Sequence, residues 1–286
     1  MMLQSNLSAA QNRSDSWSYD KHFLITGASS GIGLQLSKHF LGVCKKLTLV
    51  SRDTNGRLSE AARELQDLGK RGQEGGDWID TRIESQRIDV RDRQSVRSLI
   101  QGIYEDQGDQ VDAFVNCAGG SHKFALLESM STDDIDEIVD VNGKAPIYWL
   151  RELLVYMKHN SVTNGHPKRG HIVMLSSRSG ERALPNLSVY AAAKACVEKL
   201  IEAVRAEYAC YRIAFTLVNP GSINTAFTER WPEQLREMHN AESMTVTQAI
   251  APIVHALGSQ FVYNRISYES LEQWVGEPGV LSARAD

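Results

Sequence analysis

The sequence predicts an α/β fold: a doubly wound parallel sheet of about seven strands with helices on both faces. Two patterns carry the prediction. Short apolar runs alternate with helical periodicity along most of the chain, the mark of successive βαβ units. The first run, Phe23-Leu24-Ile25, passes into the glycine-rich turn Thr26-Gly27-Ala28-Ser29-Ser30-Gly31-Ile32-Gly33 and then straight into an amphipathic helix. With 286 residues and 42% hydrophobic side chains, the chain can bury a full core, and α/β units of ~200–250 residues commonly fold as one domain.

Residues 1–20 are rich in Ser, Asn and Gln and read as a flexible arm ahead of a single domain over 21–286. Strand runs follow at 22–26, 46–51, 83–89, 111–116, 170–175, 212–218 and 260–267. Helical patterns fill the intervals at 31–42, 56–68, 92–107, 132–158, 187–209 and 246–258. The glycine-rich, charged stretch 69–77 reads as an inserted surface loop, and 160–170 as a second polar loop. Pro146 lies four residues beyond Asn142 and cannot donate to the Asn142 carbonyl, which predicts a kink in the helix over 132–158. Ligands of a doubly wound sheet bind beyond the carboxyl ends of its strands.

Two local patterns point to chemistry. Gly27, Gly31 and Gly33 permit a tight turn, close backbone approach to a ligand and close helix–strand packing. The following helix then offers N–H groups and a positive dipole end to a pyrophosphate. Farther along, Tyr190 follows Ser177 by thirteen residues, and Lys194 follows Tyr190 by four. Positions i and i+4 share one helix face. A phenol titrates near ~10, too high for a proton shuttle at neutral pH. A neighbouring ammonium lowers such a value by ~1–3 units.

In order along residues 20–270, these motifs resemble the short-chain dehydrogenase/reductase family. Val115-Asn116-Cys117-Ala118-Gly119 resembles its Asn-Asn-Ala-Gly segment, with Cys117 in place of the second Asn. Asp89-Val90 resembles the pair whose carboxylate receives the adenine amine, and Val141-Asn142 the position of the family's catalytic asparagine. Asn219-Pro220-Gly221-Ser222-Ile223-Asn224-Thr225 resembles the turn and threonine that grip the nicotinamide carboxamide. The resemblance implies a Rossmann-like fold and a catalytic set of Asn142, Ser177, Tyr190 and Lys194. It implies a dinucleotide site from Gly27, Ser29, Ser30, Gly31, Ile32, Gly33, Arg52, Asp89, Val90, Asn116, Ala118, Gly119, Tyr190, Lys194, Pro220, Gly221, Ile223 and Thr225. In that scheme Tyr190 is the general acid/base, and Ser177 holds the substrate oxygen. Lys194 lowers the phenol and binds the ribose, and Asn142 holds a water linking Lys194 to solvent. Ser176 is read as a structural hydrogen-bonder.

Cofactor choice turns on Ser51-Arg52-Asp53. Members that prefer NAD carry an acid at the position of Ser51. Here a small neutral residue precedes Arg52, whose planar fork suits a 2′-phosphate. NADP(H) is preferred on this reading, and NAD(H) stays possible because Asp53 could turn toward a ribose. The expected enzyme is an NADP(H)-dependent carbonyl reductase or alcohol dehydrogenase acting on a small-molecule carbonyl or alcohol. An NAD-dependent dehydrogenase and a non-catalytic nucleotide sensor of the same fold are the alternatives.

His122, Lys123 and Phe124, together with Arg178, Glu181 and Arg182, should rim the site, and 224–245, with Phe227, Trp231 and Pro232, should cover it. The resemblance also implies pairing through the helices over 132–158 and 187–209, giving a homodimer or homotetramer. The net charge of −4 gives no pull toward nucleic acid. No apolar run is long enough to span a membrane, and no signal-peptide pattern opens the chain, so a cytoplasmic location is expected. The histidines are scattered, so no metal site is expected. Of the four cysteines, Cys44, Cys117 and Cys196 stand in apolar runs and read as buried thiols.

Overall fold

Strand β1 (His22–Thr26) is buried along its whole length. It lies inside a seven-stranded sheet of order β3-β2-β1-β4-β5-β6-β7. The other strands are β2 (Lys46–Ser51), β3 (Arg82–Arg87), β4 (Ala113–Asn116), β5 (Gly170–Leu175), β6 (Ile213–Pro220) and β7 (Arg265–Tyr268). All six pairings are parallel, as the alternation of strand and helix requires. The computed structural model describes residues 20–268 apart from 74–77, 122, 163–167, 183, 229, 230, 232, 235, 238–242, 260 and 261. The expected arm, save Asp20, and His122, Pro232 and residues 269–286 lie outside the described residues.

Successive strand side chains face opposite sides, and here both sides are covered. Phe23, Ile25, Leu47, Leu49, Val115 and Val173 pack with α1 (Gly31–Phe40), α2 (Arg57–Gln73) and α8 (Val246–Gly258). Leu24, Val50, Phe114, Ile172, Met174 and Leu217 pack with α3 (Arg93–Gln101), α5 (Ala145–Met157) and α7 (Ser188–Glu207). Also among the described residues are α4 (Thr132–Val139) and the short α6 (Arg178–Glu181). Burying one such side chain contributes roughly 1.5–3 kcal/mol. A one-residue slip would turn every one of them to the wrong face, so the register is strongly specified.

Several expected boundaries shift. The helix expected over 132–158 is α4 and α5 joined by a π-turn, Asp140–Lys144, which contains Asn142. The turn's extra residue brings Pro146 to the start of α5, where its missing N–H is not needed. A second π-turn, Gly102–Asp106, follows α3. The stretch expected to loop from Gly69 is helical through Gln73. A Cβ added at Gly72 would lie 2.5 Å from the Trp78 indole, and one at Gly42 only 2.2 Å. Both glycines seat an aromatic ring, Gly72 within α2 and Gly42 in the turn after α1, where its φ is +76°. Cys44 is buried, but Cys196 is exposed, contrary to expectation. It lies on the outer side of α7, where its neighbour Val197 faces the core.

Candidate active site

Beyond Leu175 the chain leaves the sheet through Ser176 and Ser177. Ser177 is extended (φ −164°, ψ 156°) and caps α6, its hydroxyl accepting the Ser179 N–H at 3.1 Å. Tyr190 stands in the first turn of α7, and Lys194 follows one turn later. The two side chains are only 6% and 4% exposed. Lys194 Nζ donates to the Leu175 carbonyl at 2.9 Å and lies 5.6 Å from the centre of the Tyr190 ring. The Ser177 hydroxyl lies close enough to the Tyr190 phenol to draw its titration down. The carboxyl end of β5 and the start of α7 thus bring Ser177, Tyr190 and Lys194 together.

Burial dominates the protonation of this trio. It pushes the Tyr190 phenol up to about 12, against a smaller downward pull from Ser177. It also pulls the Lys194 ammonium down to about 8. The expected lowering of the phenol by Lys194 is not the net effect. Both groups have lost their water, and the penalty for a buried phenolate exceeds what its neighbours return.

Asn142 is fully buried in the π-turn. Its Oδ1 accepts the Gly120 N–H at 3.0 Å, and its Nδ2 donates to the carbonyls of Gly120 (2.8 Å) and Ile138 (2.9 Å). A Cβ at Gly119 would fall 2.8 Å from Asn142 Oδ1 and 3.0 Å from Lys194 Nζ. Gly119 is the point where Asn142 and Lys194 converge, and only a glycine fits there. The Asn142 amide clamps the Gly119–Gly120 turn, a use the sequence reading did not foresee.

The glycine-rich turn lies at the carboxyl end of β1, beside β4, where the direction of strand succession reverses. Gly27 and Gly31 have φ of +66° and +52°, and a Cβ at Gly33 would sit 2.5 Å from the Gly27 carbonyl. Ser30 precedes α1 without a side-chain cap, no acid stands in the first turn, and Ile32 packs toward the core. Thr26 Oγ1 donates to Asn116 Oδ1 at 2.7 Å and accepts the Ala118 N–H at 3.2 Å, tying β1 to β4. Thr26 was not singled out from sequence, since a strand-end threonine carries no pattern of its own.

At the end of β2, the hydroxyls of Ser29 and Ser51 lie 2.9 Å apart. Arg52, half exposed, reaches Glu137 at 3.4 Å. Asp53 lies four residues ahead of α2 and caps it, its carboxylate accepting the Leu58 and Ser59 N–H groups and the Ser59 hydroxyl. Asp89 is paired with Arg91 (2.6 Å), which holds it below its ordinary value although burial opposes this. Val90 is buried beside it. Across the cleft, Pro220 ends β6, and the Gly221 N–H donates to the Tyr268 carbonyl at 2.7 Å. Ile223 bridges to Met244, and a Cβ at Gly31 would touch Thr225 at 3.5 Å.

A polar cluster below Ser177 was missed from sequence. The Ser176 hydroxyl donates to Glu198 at 3.2 Å, and Asn219 donates to Glu181 (2.7 Å) and Glu198 (3.0 Å). Arg265 pairs with Glu181, Glu198 and Glu202. Among the described residues no group of His, Cys, Asp or Glu is placed to hold a metal ion, and no helix is long and apolar enough to cross a membrane.

Residues 21–236 match the short chain dehydrogenase family. An uncharacterized oxidoreductase of Staphylococcus saprophyticus is 28% identical over 261 residues, spanning 91% of this chain and 96% of the relative. Among solved structures, levodione reductase superposes with a TM-score of 0.73 at 25% identity, covering 90% of this chain and 99% of that one. A metagenomic short-chain oxidoreductase in complex with NADP has the same fold, with a TM-score of 0.69 at 22% identity, over 88% of this chain and 99% of its own.

Proposed function

The chain belongs to the short chain dehydrogenase family, and we propose that it is an NADP(H)-dependent oxidoreductase moving hydride between nicotinamide and a carbonyl or secondary alcohol. The observation that carries this reading is the convergence of the Ser177 hydroxyl, the Tyr190 phenol and the Lys194 ammonium in one buried corner.

The donor set fits the cofactor. The α1 N-terminus bears neither a side-chain cap nor an acid, which suits a pyrophosphate. The Ser29–Ser51 hydroxyl pair and Arg52 suit a 2′-phosphate. Asp53, the acid that could favour a bare ribose, is engaged in capping α2. Asp89, Val90, Asn116, Ala118 and Gly119 would line the adenine and ribose side, and Pro220, Gly221, Ile223 and Thr225 the nicotinamide side. When bound, the nicotinamide supplies hydride to the carbonyl carbon or accepts it from the alcohol.

The chain's own residues manage the proton. In this water-poor corner Tyr190 keeps its proton at neutral pH, the form needed to protonate a carbonyl oxygen as it gains negative charge. Ser177 donates to that same oxygen and holds it against the phenol. Lys194, still largely charged at neutral pH, stabilises the phenolate left behind. Asn142 fixes the Gly119–Gly120 turn against Lys194. The exposed Ile147 and Val155 on α5 support pairing of two or four copies through that face.

The test is NADPH and NADH binding to the purified chain, followed by cofactor oxidation against a panel of aldehydes and ketones. NADPH should bind more tightly and turn over. Tyr190→Phe should lower kcat by about 10²–10⁴-fold with NADPH affinity retained. Wild-type turnover in that variant, or binding of neither cofactor, would overturn the reading.

A further inference from the structure

Taking the cleft as a hydride-transfer site, we propose that its substrates are carbonyl compounds bearing a bulky uncharged group, aryl or long-chain alkyl. Two observations on the wall beside Tyr190 carry this: a run of aromatic rings opening onto exposed leucines, and the pairing of the charges around it.

The rings begin at the catalytic phenol. Phe227 stands edge-on to Tyr190 with ring centres 5.5 Å apart, Trp231 follows at 5.4 Å, and Phe124 lies 4.9 Å from Trp231. Trp231 Nε1 donates to the Ser121 carbonyl at 3.0 Å, so its one polar atom is engaged, and its buried ring backs the partly exposed rings of Phe124 and Phe227. Beyond Phe124, Leu126 and Leu127 are 57% and 56% exposed, and Leu184 is 43% exposed. Their two loops are joined by the Ala125 N–H donating to the Asn186 carbonyl at 3.1 Å. Exposed leucines on two joined loops beside an aromatic wall mark a binding surface. Their continuity with the aromatic wall assigns that surface to the substrate's far end.

Among the described residues, the charges near the mouth are engaged. Lys123 pairs with Asp134 at 3.4 Å. Arg178 pairs with Glu181, which Arg265 and Ser267 also hold, and Arg182 is engaged too. At Lys123 or Arg178 a carboxylate or phosphate on the substrate would have to displace a carboxylate already in place. An uncharged aryl or alkyl group meets no such competitor.

The experiment uses the full chain with NADPH and four probes: acetophenone, 2-decanone, acetone and pyruvate. Probe binding is followed by saturation-transfer NMR and turnover by NADPH oxidation. Acetophenone and 2-decanone should show kcat/KM at least about tenfold above acetone and pyruvate, the scale of discrimination an apolar pocket achieves. The double variant Leu126→Ser/Leu184→Ser should cut the advantage of 2-decanone about tenfold and leave that of acetophenone. Pyruvate or acetone equalling the apolar probes would overturn the proposal and leave the hydride reading intact. Selective binding of the apolar probes without turnover would uphold the substrate class and sink the hydride reading. Binding of none of the four would overturn the substrate class. A double variant that changes sedimentation but not selectivity would assign the leucines to a contact between copies and overturn it as well.

Discussion

Glu198 on α7 accepts Arg265 from β7 at 2.9 Å, and that contact joins the helix of Tyr190 and Lys194 to the edge of the sheet. The same carboxylate receives Ser176 and Asn219, so Glu198 sets the height of the Ser177 segment against α7. Replacing Glu198 by Ala should destabilise the fold by about 3 kcal/mol. This is the low end for a broken buried pair, because Arg265 is partly solvated. Glu198→Gln, which keeps an acceptor for Ser176, should lose less. Urea unfolding of both variants measures the difference, and equal losses would refute the role given to the shared acceptor.

His22 makes the fold acid-sensitive. Burial first, and then Lys46, hold its imidazole down to about 4, against the opposing pull of Asp109. Between that value and the unfolded value near ~6.5, the unfolded chain binds a proton that the folded chain refuses. Stability is therefore intact above about pH 6.5 and falls as pH drops toward 4. His22→Gln should be less stable at pH 7, having lost the bond to Thr48 (2.8 Å), yet show a shallower loss of Tm between pH 7 and 5. Parallel Tm curves for the two proteins would rule His22 out as the source.

Arg52 carries the cofactor prediction. Arg52→Asp places a carboxylate where a 2′-phosphate would bind and removes its charged donor. NADPH affinity should fall about ten- to hundredfold, and NADH affinity should hold or rise. Fluorescence titration of both cofactors reads this directly. An unchanged ratio would remove Arg52 from the site and leave its pairing with Glu137 as its whole role.

Gly72 offers a test of sign. An Ala in a helix is ordinarily about 1 kcal/mol better than Gly, but here its Cβ would lie 2.5 Å from the rigid Trp78 indole. Overpacking of that kind costs ~1–3 kcal/mol, so Gly72→Ala should destabilise the wild-type chain. In a Trp78→Ala background the same substitution should stabilise. A double-mutant cycle by thermal unfolding that showed no reversal would break the argument.

The inner strands β1, β2, β4, β5 and β6 were legible because they are buried on both faces and read as apolar runs, and the glycine turn because φ above zero needs residues like Gly27 and Gly31. The π-turn at Asp140–Lys144 was only half legible. One extra residue barely disturbs a 3.6-residue period, and Pro146 was its single visible trace. The stretch from Gly69 to Gln73 misled because glycine ordinarily marks a break, and the reason for it here, Trp78, is a tertiary neighbour. Glu198 was illegible for the opposite reason. A glutamate one turn after a lysine reads as a solvent-facing pair, and only the arrival of β6 and β7 makes it a buried acceptor. Tyr190, Lys194 and Ser177 could be found by spacing, but the upward shift of the phenol could not, because it depends on how much water the fold removes.

The ties from Arg265 and Ser267 to Glu181 impose an order in time. Glu181 and Arg265 are 84 residues apart, so a chain emerging from the ribosome has made β1 through β5 long before the partner of Glu181 exists. The segment holding Ser177 has to wait for β7 to be synthesised and to dock. Newly made chains should therefore lack a settled Ser177 segment until β7 has docked.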